Sequence, residues 1–270
     1  MLGQYGDDAK LLAGGHSLLP MMKLRLAQPA HLIDISALGE LSGIREEGGK
    51  IVIGSATVHD SVASSDLIGK KIGLLAECAA AIGDVQVRNR GTIGGSLTHS
   101  DPAADYPAAV MALEGEMTLQ SATGSRVVKA ADFFVDLLTS AVQPGEILTK
   151  VSFAPLPPRT GYIYLKHRQP ASGFAMVGVA VAITVDSKGN VANVRVAVTG
   201  LAAKVFRAAA VESAITGKKP DAATIAAAAA HAADGADPLA DIHAAADFRA
   251  ELARVYTARA LEQAVVRAGS

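Results

Sequence analysis

The sequence carries two short runs of small residues, Ala13-Gly14-Gly15-His16-Ser17 near its start and Asn89-Arg90-Gly91-Thr92-Ile93-Gly94-Gly95-Ser96 farther along. Each run combines backbone amides that large side chains do not cover with at least one hydroxyl group. A diphosphate requires this chemistry when protein backbone approaches it closely. The two runs therefore predict a large dinucleotide held between two loops.

Length and composition set the class of protein. The chain has 270 residues, enough for two domains or one large one with a sizeable core. Hydrophobic residues make up 50% of it and aromatic residues only 4%. No apolar stretch reaches the roughly 18 residues of a transmembrane helix, and the start of the sequence lacks the pattern of a secretion signal. We therefore expect a cytoplasmic protein without a transmembrane segment.

Charge and cysteine content limit the partners. Lys and Arg number 25 against 26 Asp and Glu, and no basic cluster is interleaved with aromatic residues, so we expect proteins and small molecules as partners and no nucleic acid. Cys78 is the only cysteine. An iron–sulfur cluster held by one chain usually needs four thiolates, so any such cluster must belong to another subunit. Cys78 lies in an apolar helical stretch and is expected to be buried.

Periodicity predicts an α+β fold in two parts. In the first part, strands are expected at 33–35, 50–54 and 147–153, a hairpin at 117–128 and a helix at 131–138. The proline-rich segment 154–158 is the expected linker, because successive prolines lack amide donors. After it, strands at 162–167, 177–185 and 191–198 and alanine-rich helices predict a small three-stranded sheet backed by helices. We place the domains at 1–155 and 160–270.

The last helix carries an apolar face from Phe248 to Val265. This pattern favours a helix that closes the chain's own sheet, and a partner-binding helix is the alternative.

Three runs carry a family resemblance: Leu11-Leu12-Ala13-Gly14-Gly15-His16-Ser17-Leu18-Leu19-Pro20-Met21-Met22-Lys23-Leu24-Arg25, residues 87–105 around the second glycine run, and Lys166-His167-Arg168-Gln169-Pro170-Ala171-Ser172-Gly173-Phe174. They resemble the two flavin loops and the opening of the C-terminal domain in the FAD-binding medium subunits of molybdenum hydroxylases. The likeness covers essentially the whole chain, in order, and is most pronounced to subunits of the carbon monoxide dehydrogenase type. Aldehyde and xanthine dehydrogenase subunits are the alternative within the family.

The resemblance implies a fold and a role. The fold is an FAD-binding domain of the vanillyl-alcohol-oxidase (PCMH) type in two subdomains, followed by the small C-terminal domain. The role is electron transfer from 2Fe-2S clusters of a small partner subunit through FAD to quinone, NAD or another acceptor. A large partner subunit holds molybdopterin and oxidises the substrate, and the complex is a dimer of heterotrimers. Such a complex is cytoplasmic or associates peripherally with a membrane.

The resemblance also implies cofactor-binding residues and assigns no catalytic or metal-binding residue to this chain. One loop would wrap the diphosphate, and the other would hold the diphosphate and ribityl region from the opposite side. Asp105 would accept a hydrogen bond from a cofactor hydroxyl, Ile82 and Leu148 would form apolar walls, and Lys166 would place a positive charge beside the isoalloxazine. The loop residues are Ala13, Gly14, Gly15, His16, Ser17, Leu18 and Leu19 in the first loop, and Thr92, Ile93, Gly94, Gly95 and Ser96 in the second.

Other interpretations stay open at this stage. We expect Asp101 to cap a helix rather than to bind the cofactor, because Asp is preferred at helix starts. For Asp105, the alternative to a cofactor contact is a favourable negative charge in the first turn of the helix. His16 raises the alternative of a stand-alone flavin oxidase with covalently tethered FAD. A module without cofactor is a third alternative, because the family's usual strand–helix–strand lead-in is lacking before Met1, and we expect the first subdomain to expose a sheet edge.

Overall fold

A computed structural model describes residues 1–269 of the protein, apart from the side chain of Asp7. Its strands are β1 (Ala9–Leu12), β2 (His31–Asp34), β3 (Ile44–Glu47), β4 (Lys50–Gly54), β5 (Glu116–Ser121), β6 (Gly124–Lys129), β7 (Phe134–Asp136), β8 (Thr139–Ser140), β9 (Ile147–Phe153), β10 (Thr160–Arg168), β11 (Ala175–Val185), β12 (Val191–Thr199) and β13 (Phe206–Arg207). Its helices are α1 (Leu2–Tyr5), α2 (Leu18–Lys23), α3 (His59–Ala63), α4 (Asp66–Ala80), α5 (Val85–Arg88), α6 (Ile93–His99), α7 (Tyr106–Ala112), α8 (Ala130–Phe133), α9 (Ala209–Ile215), α10 (Ala222–Ala229) and α11 (Ala246–Ala268). The mixture confirms the predicted α+β class.

A five-stranded antiparallel sheet forms the centre of the first half, in the order β3-β4-β9-β5-β6. Ile51 and Ile53 alternate along β4, and both are fully buried. They pack with the buried side chains of α4 and α7 in one continuous hydrophobic core. Val52 between them is buried as well, so β4 is covered on both faces, as expected of a central strand.

The chain's first strands form a separate parallel pair, β1 with β2. The pair continues past the strand ends, where the amide of Ile35 donates to the carbonyl of Leu12 at 2.9 Å. The first glycine run follows β1 directly and leads into α2. The end of β1 therefore determines where that loop lies.

A second antiparallel sheet, β10-β11-β12-β13, is covered by α11. The three predicted strands are present, and the two-residue β13 extends the sheet. A Cβ on Gly161 of β10 would lie 1.8 Å from the carbonyl oxygen of Ala264, so α11 packs directly on the backbone of the strand. This packing confirms the prediction that the last helix closes the chain's own sheet.

Helix α7 joins the two halves. Every residue from Tyr106 to Ala112 is buried, and the core around α7 includes side chains of β10, β11 and β12. The Thr199 hydroxyl lies 2.7 and 2.8 Å from the carbonyl oxygens of Pro102 and Ala104, which precede α7, and its single proton is shared between them. The segment after the second glycine run is therefore fixed against the second sheet.

One secondary-structure prediction is wrong in part. The helix expected at 131–138 ends at Phe133, and β7 and β8 follow as a small hairpin. Phe134 is buried by tertiary packing at a position where helical periodicity would also place an apolar residue. Leu138, in the turn of this hairpin, adopts a left-handed φ of 51° that ends any helix.

A cavity between the two glycine loops

The two glycine loops line one cavity of about 710 Å³. Its wall also includes the end of β4, the turn before β9 and the turn between β10 and β11. Most of the residues predicted from the sequence lie on this wall: Ala13, Gly14, Gly15, His16, Ser17, Leu18, Ile82, Thr92, Gly94, Gly95, Ser96, Asp105 and Leu148. The fold thus brings together two segments that are far apart in the sequence.

The loops meet at Gly14. A Cβ on this residue would lie 2.2 Å from the carbonyl oxygen of Arg90 and 2.8 Å from the Cα of Gly91. Any side chain at position 14 would therefore push the loops apart. The next residue, Gly15, has φ +74°, which other residues rarely adopt.

The first loop offers backbone donors to a ligand. Leaving aside the side chain of Asp7, which the structure does not describe, the amides of Gly15, His16 and Ser17 donate no hydrogen bond to an atom of residues 1–269. The ring of His16 instead contacts the Gly14 carbonyl through Nδ1 at 2.9 Å. Consecutive unpaired amides form the type of concave donor surface that binds phosphate oxygens.

The amides of the second loop are already used by the fold. Those of Ile93 and Gly94 donate to the carbonyls of Thr57 and Ser55 at 3.0 and 2.8 Å, and that of Gly95 donates to the Thr92 hydroxyl at 3.1 Å. A Cβ on Gly94 would lie 2.6 Å from the Ser55 carbonyl oxygen. This loop therefore presents hydroxyl groups and bare glycine surface to the cavity.

Three of the predicted residues do not line the cavity. Ile93 is fully buried in the hydrophobic core, and Leu19 is 40% exposed with its side chain packed beside Gly15. Lys166 is buried beside Asp105: its ammonium lies 2.9 Å from the carboxylate, and both side chains are 5% exposed. Asp105 itself lies on the cavity wall.

Asp105 is the centre of a buried polar network. Its carboxylate accepts hydrogen bonds from the Tyr164 hydroxyl at 2.5 Å and from Lys166 at 2.9 Å. Burial raises the pKa of Asp105, and the charge of Lys166 and the Tyr164 hydrogen bond oppose this rise. Lys166 also donates to the carbonyl of Gly173 at 2.7 Å, so it connects the carboxylate to the turn before β11 that forms part of the cavity wall.

The cavity wall also includes residues that were not predicted from the sequence as site residues, among them Ser55, His59 and Phe174. The Ser55 hydroxyl and His59 Nδ1 are buried and have no hydrogen-bond partner in the described structure. Burial lowers the pKa of His59 to about 4, with smaller electrostatic contributions from the neighbouring His16 and Arg88 side chains. No glycine pattern like those of the two loops marks residues 55–59, which are placed at the cavity by tertiary hydrogen bonds.

The other sequence expectations concern Cys78 and Asp101. Cys78 is fully buried, as predicted, and burial raises the pKa of its thiol. The carboxylate of Asp101 accepts a hydrogen bond from the amide of Ala103 at 2.8 Å, which holds the turn before α7. Among the described side chains, no group of three or more His, Cys, Asp or Glu residues is placed to hold a metal ion.

The donor set fits a diphosphate-containing dinucleotide. Unpaired amides of the first loop, the unpartnered Ser55 hydroxyl and the buried ring of His59 all belong to one wall. The glycines leave room for close backbone approach, and Ile82 and Leu148 supply apolar surface. Cofactor pockets typically combine an apolar lining with a few convergent polar groups of this kind.

Comparison with known proteins agrees with this geometry. Residues 1–156 match the family model for the FAD binding domain in molybdopterin dehydrogenase, and residues 162–264 match the CO dehydrogenase flavoprotein C-terminal domain. The chain therefore belongs to the FAD-binding subunits of the molybdopterin dehydrogenases. It is the flavoprotein subunit of an oxidoreductase of the carbon monoxide dehydrogenase type.

Individual relatives span nearly the whole chain. The carbon monoxide dehydrogenase medium chain of Hydrogenophaga pseudoflava is 41% identical over 99% of this chain and 93% of its own length. Subunit alpha of the 6-hydroxypseudooxynicotine dehydrogenase complex of Paenarthrobacter nicotinovorans is 35% identical over 99% and 90%. A structure of the Hydrogenophaga pseudoflava carbon monoxide dehydrogenase superimposes with a TM-score of 0.95 at 43% identity, covering 98% of this chain and 92% of that one.

Along the described chain, no helix combines the length and the apolar character needed to span a membrane.

Proposed function

We propose that this protein is the electron-transfer subunit of a molybdenum hydroxylase, and that it holds FAD in the cavity between its two glycine loops. It receives electrons from 2Fe-2S clusters of a small partner subunit and passes them to quinone or NAD. Substrate oxidation takes place in a large molybdopterin-binding subunit, with carbon monoxide as the first candidate substrate. The complex is a dimer of heterotrimers that functions in the cytoplasm or at a membrane surface.

The contact of Gly14 with Arg90 and Gly91 carries this proposal, because it makes one binding site out of two loops. The amides of the first loop and the Ser17 hydroxyl would bind the diphosphate. The hydroxyls of Thr92 and Ser96 would approach it from the second loop. The amides of the second loop are already bonded within the protein. The second loop would therefore contribute side-chain hydroxyls, whereas the first loop would contribute backbone amides.

Apolar and charged residues would hold the remainder of the cofactor. Ile82 and Leu148 would pack against its rings, and Asp105 would accept a hydrogen bond from a hydroxyl group in addition to those it already accepts. Lys166 would act on the flavin region from behind Asp105 rather than as a separate wall residue. Bound FAD would supply a redox centre that accepts electrons singly and releases them singly or in pairs.

Partner subunits are proposed because the relatives are named as parts of larger enzymes. One is a medium chain and another is a subunit of a dehydrogenase complex. Their substrates differ, so the names do not select one substrate for this chain. We also propose that the domain boundary lies between residues 155 and 160, where the proline-rich segment joins the two sheets.

Purification of the full chain, alone and coexpressed with candidate partner subunits, tests the proposal. We expect flavin absorption bands in the visible spectrum and release of FAD on denaturation. We also expect that mild affinity purification recovers a molybdenum-containing subunit, which identifies the class of reaction. A colourless protein that takes up no FAD, with or without partners, would contradict the proposal.

A further inference from the structure

The segment at residues 55–59 is fixed directly behind the second glycine loop. The amide of His59 donates to the carbonyl of Gly91 at 2.9 Å. In the reverse direction, the amides of Ile93 and Gly94 donate to the carbonyls of Thr57 and Ser55. Three backbone hydrogen bonds therefore hold this segment and the loop in one fixed arrangement, and His59 begins α3 at its end.

The ring of His59 lies where the two loops meet. A Cβ on Gly91 would lie 2.5 Å from His59 Nε2, so the ring packs directly on the backbone of this glycine. The same stretch of backbone contacts Gly14 from the first loop. His59 is only 5% exposed, and it lines the cavity.

Neither nitrogen of this ring has a partner among the described side chains, which leave out Asp7. His59 Nδ1 is buried and unpaired, and no hydrogen bond to Nε2 is formed within this set. The Ser55 hydroxyl on the same segment is also buried and unpaired. Because a buried polar group without a partner is unfavourable, most such groups have a hydrogen-bond partner. Because the enclosed Nδ1 has no acceptor nearby, a ligand in the cavity can engage this ring only through its other nitrogen, Nε2.

The tautomer of His59 follows from its surroundings. The ring is neutral near pH 7, because burial lowers its pKa to about 4. A proton on Nδ1 would leave a buried N–H without an acceptor, whereas a proton on Nε2 leaves only an unpaired acceptor at Nδ1. Buried N–H groups without acceptors are the rarer of the two. Nε2 is therefore the donor, and it faces the junction of the loops.

We propose that His59 donates a hydrogen bond from Nε2 to the diphosphate of the dinucleotide cofactor, between the contributions of the two glycine loops. This inference rests on the proposed function, because it assigns a further residue to the same site. A neutral donor in a fixed position suits an anionic oxygen, since a hydrogen bond to a charged group is stronger than one between neutral groups. His59 thus provides a side-chain donor at the point where the second loop has no free amide.

Titration of the full apo chain with FAD and with riboflavin tests the inference, because riboflavin has the flavin ring without the diphosphate. We expect His59→Leu to raise the Kd for FAD about 10- to 100-fold, as for loss of a hydrogen bond to a charged group. The Kd for riboflavin should stay unchanged. His59→Gln keeps an N–H donor and should lose less affinity for FAD. His231→Leu, which replaces an exposed histidine outside the cavity, is the matched control.

The inference is overturned if folded His59→Leu binds FAD as tightly as the wild type, or if FAD and riboflavin lose affinity equally. If His59→Leu does not fold, nitrogen NMR of the wild-type chain with labelled histidine replaces it. A proton on Nε2 whose resonance shifts when ADP is added supports the inference, and a proton on Nδ1 overturns it. If the wild-type chain binds neither FAD nor ADP, the proposed function itself is wrong, and the inference about His59 falls with it.

Discussion

The ammonium of Lys166 and the carboxylate of Asp105 form an ion pair at 2.9 Å in which each side chain is only 5% exposed. The pair connects β10 to the start of α7, across the two halves of the protein. A buried pair of this kind is weak evidence for added stability, but removal of one partner leaves an uncompensated charge. Lys166 therefore has a structural role in addition to any electrostatic effect on the cofactor.

Lys166→Met should destabilise the protein by about 3–5 kcal/mol, because the buried Asp105 carboxylate loses its counter-charge. The free energy of unfolding from urea titration measures this loss. Lys150→Met is the control, since Lys150 lies 3.8 Å from Glu47 in a largely exposed pair, which contributes only about 0–1 kcal/mol. The double variant Asp105→Asn/Lys166→Met should recover part of the loss. Equal stability of the Lys166 and Lys150 variants would contradict the structural role.

Gly14→Ala should impair FAD retention, because the new Cβ would lie 2.2 Å from the carbonyl oxygen of Arg90. This oxygen belongs to the backbone, so it cannot give way as the end of a flexible side chain could. We expect a stability loss of about 1–3 kcal/mol, as for overpacking, and a protein that purifies with less bound flavin. The ratio of visible to ultraviolet absorbance gives the flavin content. Gly39→Ala provides the comparison, since its Cβ would meet nothing within 4 Å. Equal flavin content in the two variants would mean that contact between the loops is not required.

FAD should be released when the protein is denatured, because His16 is proposed to contribute its backbone amide rather than a covalent bond. Its ring already contacts the Gly14 carbonyl through Nδ1. Acid precipitation followed by fluorescence of the supernatant and of the polypeptide band measures the distribution of flavin. Both the wild type and His16→Ala should bind FAD, and neither should form a covalent link to it. Flavin fluorescence that stays with the denatured wild-type polypeptide, and is lost in His16→Ala, would establish the tethered alternative.

The sequence predicts the parts of the site that depend on local chemistry. The strands Lys50–Gly54 and Ile147–Phe153 and both glycine loops follow from short patterns that need no tertiary information. The burial of Lys166 does not follow, because its partner Asp105 is distant in sequence. The helix predicted through Leu138 failed for the same reason, since tertiary packing of Phe134 replaced the helical periodicity.

Residues 55–59 show this limit most clearly. Ser55 and His59 have no local pattern that distinguishes them from ordinary residues at a strand end and a helix start. Tertiary backbone hydrogen bonds, including those with the second glycine loop, place them at the cavity. What distinguishes them is a buried polar atom without a partner on the cavity wall, and this property arises only in the folded chain.

The stability of the apo chain should decrease as the pH falls from about 6.5 to about 4, in part because of His59. The folded state keeps this ring neutral until its lowered pKa of about 4, whereas the unfolded state takes up a proton near the ordinary value of 6.5. Since the unfolded state binds more protons in this window, acidification favours unfolding, by about 3 kcal/mol over the whole window. Glutamine does not titrate, so His59→Gln should have a flatter dependence of the unfolding free energy on pH between these limits. Urea titrations of both proteins at a series of pH values measure the difference, and His231→Gln should follow the wild type. Parallel curves for the wild type and His59→Gln would show that His59 is not held neutral in the folded protein.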